Sequence, residues 1–292
     1  MLFPAAFLPV AFECLAPNAL IVLDRSRSME DFLASGEPKW SVAVDVISSV
    51  VMSFDDRVRF GIGTFPDDAF DCAPGRLRMP VGDGQGQAIA SYVQGDGPDG
   101  YGTPIADSLV DISRAEPALA DSTRDNFVIL VTDGEETCDG DPVTSVQTLR
   151  GRSPEVRTFV IGFGENGLND VELDALAEAG GTAQTGAATK YFQASDRDAL
   201  AAALDQIATA VTGGDPEFPS TCGADPGGSG GEDLGAGDGT GSGSSADEDG
   251  EESGFTSGQG ACACRVGTGA GSGSSTPWWL ILALIPWVRP RR

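Results

Sequence analysis

Three short polar segments of the chain combine the side chains that bind a hard metal ion. They read DRSRS at residues 24–28, GTP at 102–104 and TDG at 132–134. Their candidate ligands are Asp24, Ser26, Ser28, Thr103 and Asp133. Mg²⁺ prefers octahedral oxygen coordination and commonly keeps several waters. Two hydroxyls two residues apart can face one ion, and two carboxylates balance its charge, so these segments predict a Mg²⁺ site, with Mn²⁺ or Ca²⁺ as alternatives.

The composition excludes several other kinds of chemistry. The 292 residues include 18 basic and 44 acidic side chains, no histidine and a net charge of −26. Without histidine there is no Ser-His-Asp triad, no Cys-His pair and no imidazole zinc site. An acidic chain lacks the clustered Lys and Arg that phosphate contacts need, so we expect no nucleic-acid partner. Carboxylates, hydroxyls, thiols and hard metal ions remain.

The elements that must position these segments alternate along the chain. Continuous apolar runs at 19–23 and 127–131 directly precede Asp24 and the TDG segment, as in buried parallel strands. Apolar and turn patterns predict further strands at 58–65, 76–81, 156–163 and 191–192, and helices near 40–54, 85–93, 105–112, 143–149, 171–179 and 200–211. Such alternation predicts an α/β fold, with a mostly parallel sheet covered by helices on both faces. The binding site of such a sheet lies beyond the carboxyl ends of its strands.

The order and placement of the three segments resemble the von Willebrand factor type A (VWA) domain and its metal-ion-dependent adhesion site. The resemblance covers about residues 17–213 and implies a Rossmann-like, six-stranded sheet. It also implies that Ser26 and Ser28 bind the metal directly, that Thr103 binds directly in the ligand-occupied state, and that Asp24 and Asp133 act mostly through waters. A carboxylate from a protein partner would take the sixth position.

Charged neighbours of the site have two interpretations each. Arg25 and Arg27 flank the serines and either pair with local acids or contact the ligand. Glu135 and Glu136 follow the TDG segment and either strengthen metal binding or are solvated loop residues, the second being favoured.

Six cysteines without a CxxC pair favour disulfides in an oxidising compartment over free thiols in the cytosol. The resemblance implies a Cys14–Cys222 bridge across the two ends of the domain and a Cys72–Cys138 bridge between loops on the metal side. Other pairings stay open, because connectivity cannot be deduced from sequence.

Composition divides the chain into four parts. Residues 1–13 are apolar and are interpreted as a remnant of a signal peptide or an apolar lead segment. Residues 14–222 form the VWA domain. Residues 223–276 are an acidic Gly/Ser-rich linker, predicted to be disordered because it has too few apolar side chains to offset ordering entropy. Residues 277–292 hold a short apolar segment and an arginine tail.

The end of the chain resembles the C-terminal sorting signals of myxobacterial surface proteins. Cys262 and Cys264 precede a Gly/Ser spacer, an apolar stretch and terminal arginines. The resemblance implies that these cysteines are processing or anchoring residues. The apolar stretch is shorter than the ~20 residues of a spanning helix, so simple association with a membrane or packing on a partner is the alternative.

Together these patterns predict a cell-surface or secreted domain, not an enzyme, that binds an acidic group of a protein partner through a divalent metal. Membrane or envelope association would come from the C-terminal tail. One alternative is a hydrolase that uses the same metal to activate water. Another is a cytosolic VWA subunit of an ATPase-linked assembly.

Overall fold

The computed structural model describes residues 15–67, 70–165 and 167–213. These residues form one six-stranded sheet with helices on both faces, so the predicted fold class is confirmed. The strands are β1 (Asn18–Asp24), β2 (Arg59–Phe65), β3 (Arg76–Gly82), β4 (Asn126–Thr132), β5 (Val156–Phe163) and β6 (Phe192–Ala194). The helices are α1 (Lys39–Ser53), α2 (Gly86–Gly95), α3 (Ile105–Ala115), α4 (Pro142–Arg150), α5 (Asp170–Gly180) and α6 (Arg197–Val211).

Alternate residues of the central strands supply two separate cores, one on each face of the sheet. In β1, Ile21 and Leu23 pack into the core beneath α1, α2 and α6, whereas Leu20 and Val22 pack into the core beneath α3, α4 and α5. Strand β4 divides its side chains in the same way. A strand covered on both faces must be apolar throughout, which explains its continuous apolar run.

The strand order is β3-β2-β1-β4-β5-β6, and only the β2–β3 pair is antiparallel among the described strands. The chain moves outward from β1 in one direction and from β4 in the other, so the order reverses between these two neighbours. Loops leaving the carboxyl ends of β1 and β4 therefore diverge and open a crevice. The first and third predicted metal-site segments, residues 24–28 and 132–134, lie at this crevice.

Side-chain caps fix where several helices begin. The carboxylates of Asp141 and Asp196 and the amide oxygen of Asn169 each accept a hydrogen bond from a backbone N–H three residues later, at the starts of α4, α6 and α5. Such caps satisfy backbone donors that have no partner within the helix. The strand-to-helix transitions are therefore specified locally.

Candidate metal centre

The two aspartates of the predicted site lie side by side at the reversal of strand order. Asp24 is the last residue of β1, and Asp133 directly follows β4. The parallel register pairs Leu23 with Val131, which brings the two strand ends level. Asp24 is 0% and Asp133 is 2% exposed. Both residues are therefore buried, although they lie at the carboxyl ends of their strands.

The loop after β1 folds so that its two serine hydroxyls face the same way. The Ser26 N–H donates to Asp24 Oδ1 at 2.8 Å, which turns the chain sharply as it leaves the strand. A 3-10 turn over Arg27–Glu30 follows. The hydroxyl oxygens of Ser26 and Ser28 are consequently 2.9 Å apart. Both are thus available to one ion.

Hydroxyl groups also connect the two strand ends. Ser28 Oγ donates to Asp133 Oδ1 at 2.7 Å, and Thr132 Oγ1 donates to Asp24 Oδ2 at 2.7 Å. Asp133, which follows β4, is therefore oriented by a hydroxyl from the loop after β1. Asp24, at the end of β1, is oriented by a hydroxyl from the end of β4. Ser26, Ser28 and Asp133 form one continuous group of oxygens.

The electrostatics of this group favour a cation. Burial, together with the nearby Asp133 carboxylate, raises the pKa of Asp24 to about 7, against the opposing hydrogen bonds from Ser26 and Thr132. A buried carboxylate that is hard to ionise gains stability when a positive charge is placed beside it. Hard oxygen donors with this charge fit a divalent ion such as Mg²⁺.

Thr103 reaches the same edge of the sheet from the loop before α3. Its N–H donates to Thr137 Oγ1 at 2.7 Å, and the Thr137 N–H donates to its carbonyl oxygen at 3.3 Å. A Cβ added at Gly134 would lie 3.9 Å from Thr103 Oγ1, so the hydroxyl lies beside the residue that follows Asp133. The structure thus brings all five predicted ligands to one region.

Arg25 pairs with local acids, which is the first of its two sequence interpretations. Its Nε donates to the Gly97 carbonyl at 3.0 Å, and its Nη2 lies 3.7 Å from both Asp96 and Asp99. Its own carbonyl accepts from the Asp99 N–H at 2.8 Å. Arg25 thereby attaches the serine loop to the loop that leads to Thr103. Arg27 instead donates to the exposed Tyr101 hydroxyl at 2.6 Å.

A disulfide lies beside the Thr103 segment of the site. Cys72 and Cys138 are bonded, as the resemblance implied. Cys138 immediately follows Thr137, the residue that holds Thr103, while the Cys72 N–H donates to the Tyr101 carbonyl at 3.0 Å. A Cβ at Gly102 would lie 2.8 Å from Cys138 Sγ, so only glycine fits against the bridge there.

The favoured interpretation of Glu136 as a solvated loop residue is wrong. Its Oε2 accepts from the Ala106 N–H at 2.8 Å, and its Oε1 accepts from the Cys138 N–H at 2.8 Å. The carboxylate thus satisfies a first-turn donor of α3 and shapes its own loop. Glu135 is exposed and accepts from the Asn169 side-chain amide at 2.7 Å.

Sequence reasoning missed Lys39. Its Nζ donates to Asp133 Oδ2 at 2.7 Å, and its side chain is 9% exposed. It is the first residue of α1 and one of only two lysines in the chain. That rarity, together with its position at the start of the helix after the serine loop, was the available signal.

Other predictions lie outside the described residues, namely those for Cys14, Cys222, Cys262 and Cys264. Within the described ranges, no three histidine, cysteine, aspartate or glutamate side chains form a metal-binding group, so the candidate centre depends on hydroxyls beside two carboxylates. No helix in the described part of the chain is long and apolar enough to cross a membrane.

Comparison with known proteins finds two relatives from Bacillus subtilis (strain 168), neither of which has an assigned function. YwmD is 38% identical over 104 residues, and YwmC is 28% identical over 178 residues. These matches cover 35% and 58% of this chain, and they span 46% of YwmD and 76% of YwmC.

Two solved structures share the fold at 20% identity. One is proximal thread matrix protein 1 from the mussel byssus with a zinc-occupied MIDAS motif, at a TM-score of 0.51, and the other is a von Willebrand factor type A protein from Catenulispora acidiphila, at 0.50. Each match covers 68% of this chain, but only 46% and 43% of the solved chains.

The family model of the von Willebrand factor type A domain matches residues 18–207. This range begins at the first residue of β1 and ends inside α6, so it contains the sheet and every predicted metal ligand. The chain belongs to the von Willebrand factor type A domain family.

Proposed function

We propose that this protein is an exported, cell-surface domain that binds a protein partner through a divalent metal ion. Asp24, Ser26, Ser28, Thr103 and Asp133 hold the ion, directly or through waters, and a carboxylate of the partner completes its coordination. One observation carries the proposal: the Ser26 and Ser28 hydroxyls and the Asp133 carboxylate form a continuous group of oxygens at the reversal of strand order.

Mg²⁺ is the proposed ion, with Mn²⁺ and Ca²⁺ as alternatives. Hydroxyl and carboxylate oxygens are hard ligands, and Mg²⁺ combines few protein ligands with several waters. The zinc-occupied motif of the mussel protein supports a divalent ion at the corresponding place. When bound, the ion supplies a Lewis-acidic position for an anionic group.

A binding role is preferred to hydrolysis because of the side chains around the site. The chain has no histidine, which is the usual general base near neutral pH. The one lysine in the cluster is already paired with Asp133. The side chains around the site therefore suit holding an ion and a ligand better than moving protons.

Export is supported by the Cys72–Cys138 bridge, since structural disulfides are rare in reducing compartments. It disfavours the cytosolic, ATPase-linked alternative. Envelope association through Cys262, Cys264 and the apolar tail is part of the same proposal. Finding all cysteines reduced in protein taken from its native cells would contradict it.

The metal is tested with one hydroxyl variant and a matched control. Ser28→Ala removes a ligand and the donor to Asp133, so we expect Mg²⁺ affinity in calorimetry to fall about 10-fold or more. Ser122→Ala, an exposed serine before β4 at the opposite edge of the sheet, should bind Mg²⁺ like the wild type. Equal affinities for both variants would rule out this metal site.

The partner is tested by capture from cell-surface fractions. Wild-type protein with Mg²⁺ should retain a protein that EDTA releases and that Ser28→Ala fails to retain. Turnover of a generic ester or phosphate that disappears in Ser28→Ala but not in Ser122→Ala would instead establish the hydrolase.

A further inference from the structure

A lysine ammonium lies among the metal ligands themselves. Lys39 Nζ is 2.7 Å from Asp133 Oδ2, while Asp133 Oδ1 accepts from Ser28. The Asp133 carboxylate is fully buried, and the Lys39 side chain is 9% exposed. Both oxygens of Asp133 are therefore occupied, one by a neutral hydroxyl and the other by a full positive charge.

A neutral donor would have satisfied that oxygen equally well. A hydrogen bond from a hydroxyl or amide group leaves the charge of the centre unchanged, whereas an ammonium adds a charge of one. In a buried region the charge is weakly screened and acts strongly on a nearby ion. Lys39 must therefore repel a divalent ion and attract an anion.

We propose that Lys39 sets the net charge of the metal centre and makes it select for anionic ligands. This inference rests on the proposed function. Among the buried groups, Asp24 and Asp133 together cancel one divalent ion, so the ammonium leaves the loaded centre with one net positive charge. The Asp31 and Glu165 carboxylates beside Lys39 are exposed, so solvent and salt screen their charges. A carboxylate at the open position restores neutrality, which a water or a neutral group does not.

The charge of Lys39 opposes the overall charge of the protein. A chain of net charge −26 should repel an acidic partner at long range. A positive centre at the edge of the sheet gives that partner a local attraction. Lys39 also lines a cleft of about 320 Å³ with Asp31, Phe32 and Glu165, so its surroundings open toward solvent on one side.

The first experiment measures Mn²⁺ affinity by calorimetry. Lys39→Gln and Lys39→Met remove the charge, and the first keeps a donor for Asp133. We expect both to bind Mn²⁺ about 10-fold more tightly than the wild type, because the repulsion is gone. Lys39→Arg should behave like the wild type. The control is Lys190→Met, which changes the only other lysine, an exposed partner of Glu178.

The outcomes separate this inference from the proposed function. Unchanged or weaker Mn²⁺ binding in both neutral variants would overturn the role of Lys39 while leaving the metal site intact. Binding by the neutral variants but not by the wild type would support the role of Lys39 and overturn metal binding by the native protein. Absence of binding in every protein would overturn both.

The second experiment uses acetate as the carboxylate probe. Acetate that binds to the Mn²⁺ ion of the loaded protein should show an increased NMR relaxation rate of its methyl protons. We expect this increase to be several-fold smaller in Lys39→Gln than in the wild type. Equal relaxation in both proteins would overturn the selection for anions.

A comparison within the wild type covers the case in which the neutral variants do not fold. Acetamide has the shape of acetate without its charge, so the Mn²⁺-loaded wild type should relax acetate protons several-fold more than acetamide protons. Equal effects of the two probes would overturn the proposal.

Discussion

At the scale of single residues, the edge of the sheet that carries the candidate ligands is also organised by side chains that fix the neighbouring loops. Arg25 is the clearest case, because it is 8% exposed and lies between two loops that carry ligands. Its partners Asp96 and Asp99 come from the segment that leads to Thr103. Arg25, which directly follows Asp24 in the DRSRS segment, therefore fixes the segment that leads to another candidate ligand.

Arg25→Gln should destabilise the protein and weaken the metal site together. Losing the ion pairs and the hydrogen bond to Gly97 should lower the free energy of unfolding by about 1–3 kcal/mol, because buried polar groups are left unpaired. Mg²⁺ affinity should fall as the Thr103 loop loosens. Denaturant unfolding and calorimetry measure the two effects, with the exposed Arg57→Gln as the control. A destabilised variant with unchanged Mg²⁺ affinity would contradict the positioning role.

At the scale of elements, covalent and capping interactions fix the loops between strands and helices. The Cys72–Cys138 bridge joins the loop between β2 and β3 to the loop between β4 and α4. Asp141 then starts α4, accepting from the Thr144 N–H at 3.0 Å and from its hydroxyl at 2.7 Å. The second half of the loop that contains Asp133 is thus held by the bridge and by the helix cap.

Removing the bridge should have two measurable effects. In Cys72→Ser/Cys138→Ser, the free energy of unfolding should fall by about 2–5 kcal/mol, because a closed loop of 66 residues no longer restricts the unfolded chain. Mg²⁺ affinity should also fall, since Thr103 depends on Thr137 next to the bridge. Urea denaturation and calorimetry test both, and the wild type treated with a reductant should match the double variant.

The cap of α4 should give a pH-dependent contribution to stability. The hydrogen bonds from the Thr144 N–H and the Thr144 hydroxyl lower the pKa of Asp141 below its usual 3.8. A lowered folded-state pKa gives stability that is present above the unfolded value and lost as the pH falls through the folded value. Asp141→Ala should lower the melting temperature by roughly 2–4 °C at pH 7.

The difference between Asp141→Ala and the wild type should shrink as the pH falls below about 3.8, because the wild type then loses the charged cap that the variant lacks at every pH. Thermal melts across a pH series measure it, and a difference that stays constant down to pH 2 would contradict the assignment.

At the scale of the whole molecule, the ion should act as a link between the two halves of the sheet. Its candidate ligands come from the ends of β1 and β4, where the two halves of the sheet meet, and from the segment before α3, which covers one face of the sheet. Anything that binds only the folded state raises stability by mass action. Metal removal should therefore affect global unfolding.

Adding Mg²⁺ at about 100 times its Kd should stabilise the folded state by about 2.7 kcal/mol. For a domain of this size that corresponds to a rise of roughly 5–10 °C in melting temperature, and EDTA should reverse it. Differential scanning calorimetry measures the shift. Ser28→Ala should show little of it, and an equal shift in both proteins would indicate binding elsewhere.

The sequence by itself determined the elements and pointed to the residues of the proposed metal site. Each predicted strand and helix is present, because apolar runs, periodicities and caps act over a few neighbouring residues. Four of the five candidate ligands belong to motifs at the ends of β1 and β4, and parallel strands place those ends at one edge. The fifth, Thr103, lies before α3 and was assigned by the resemblance to the family. Each of these signals is local or follows from the order of elements.

Only the tertiary structure decided how the charges of the site are balanced. Lys39 meets Asp133 across 94 positions of sequence, and Glu136 reaches α3 across 30. Neither contact has a local signature, since each depends on where a side chain ends after the register, the loop path and the packing of α1 and α3 are all set. A charged residue in a loop looks solvated in sequence, and burial against a distant partner is what gives it a role.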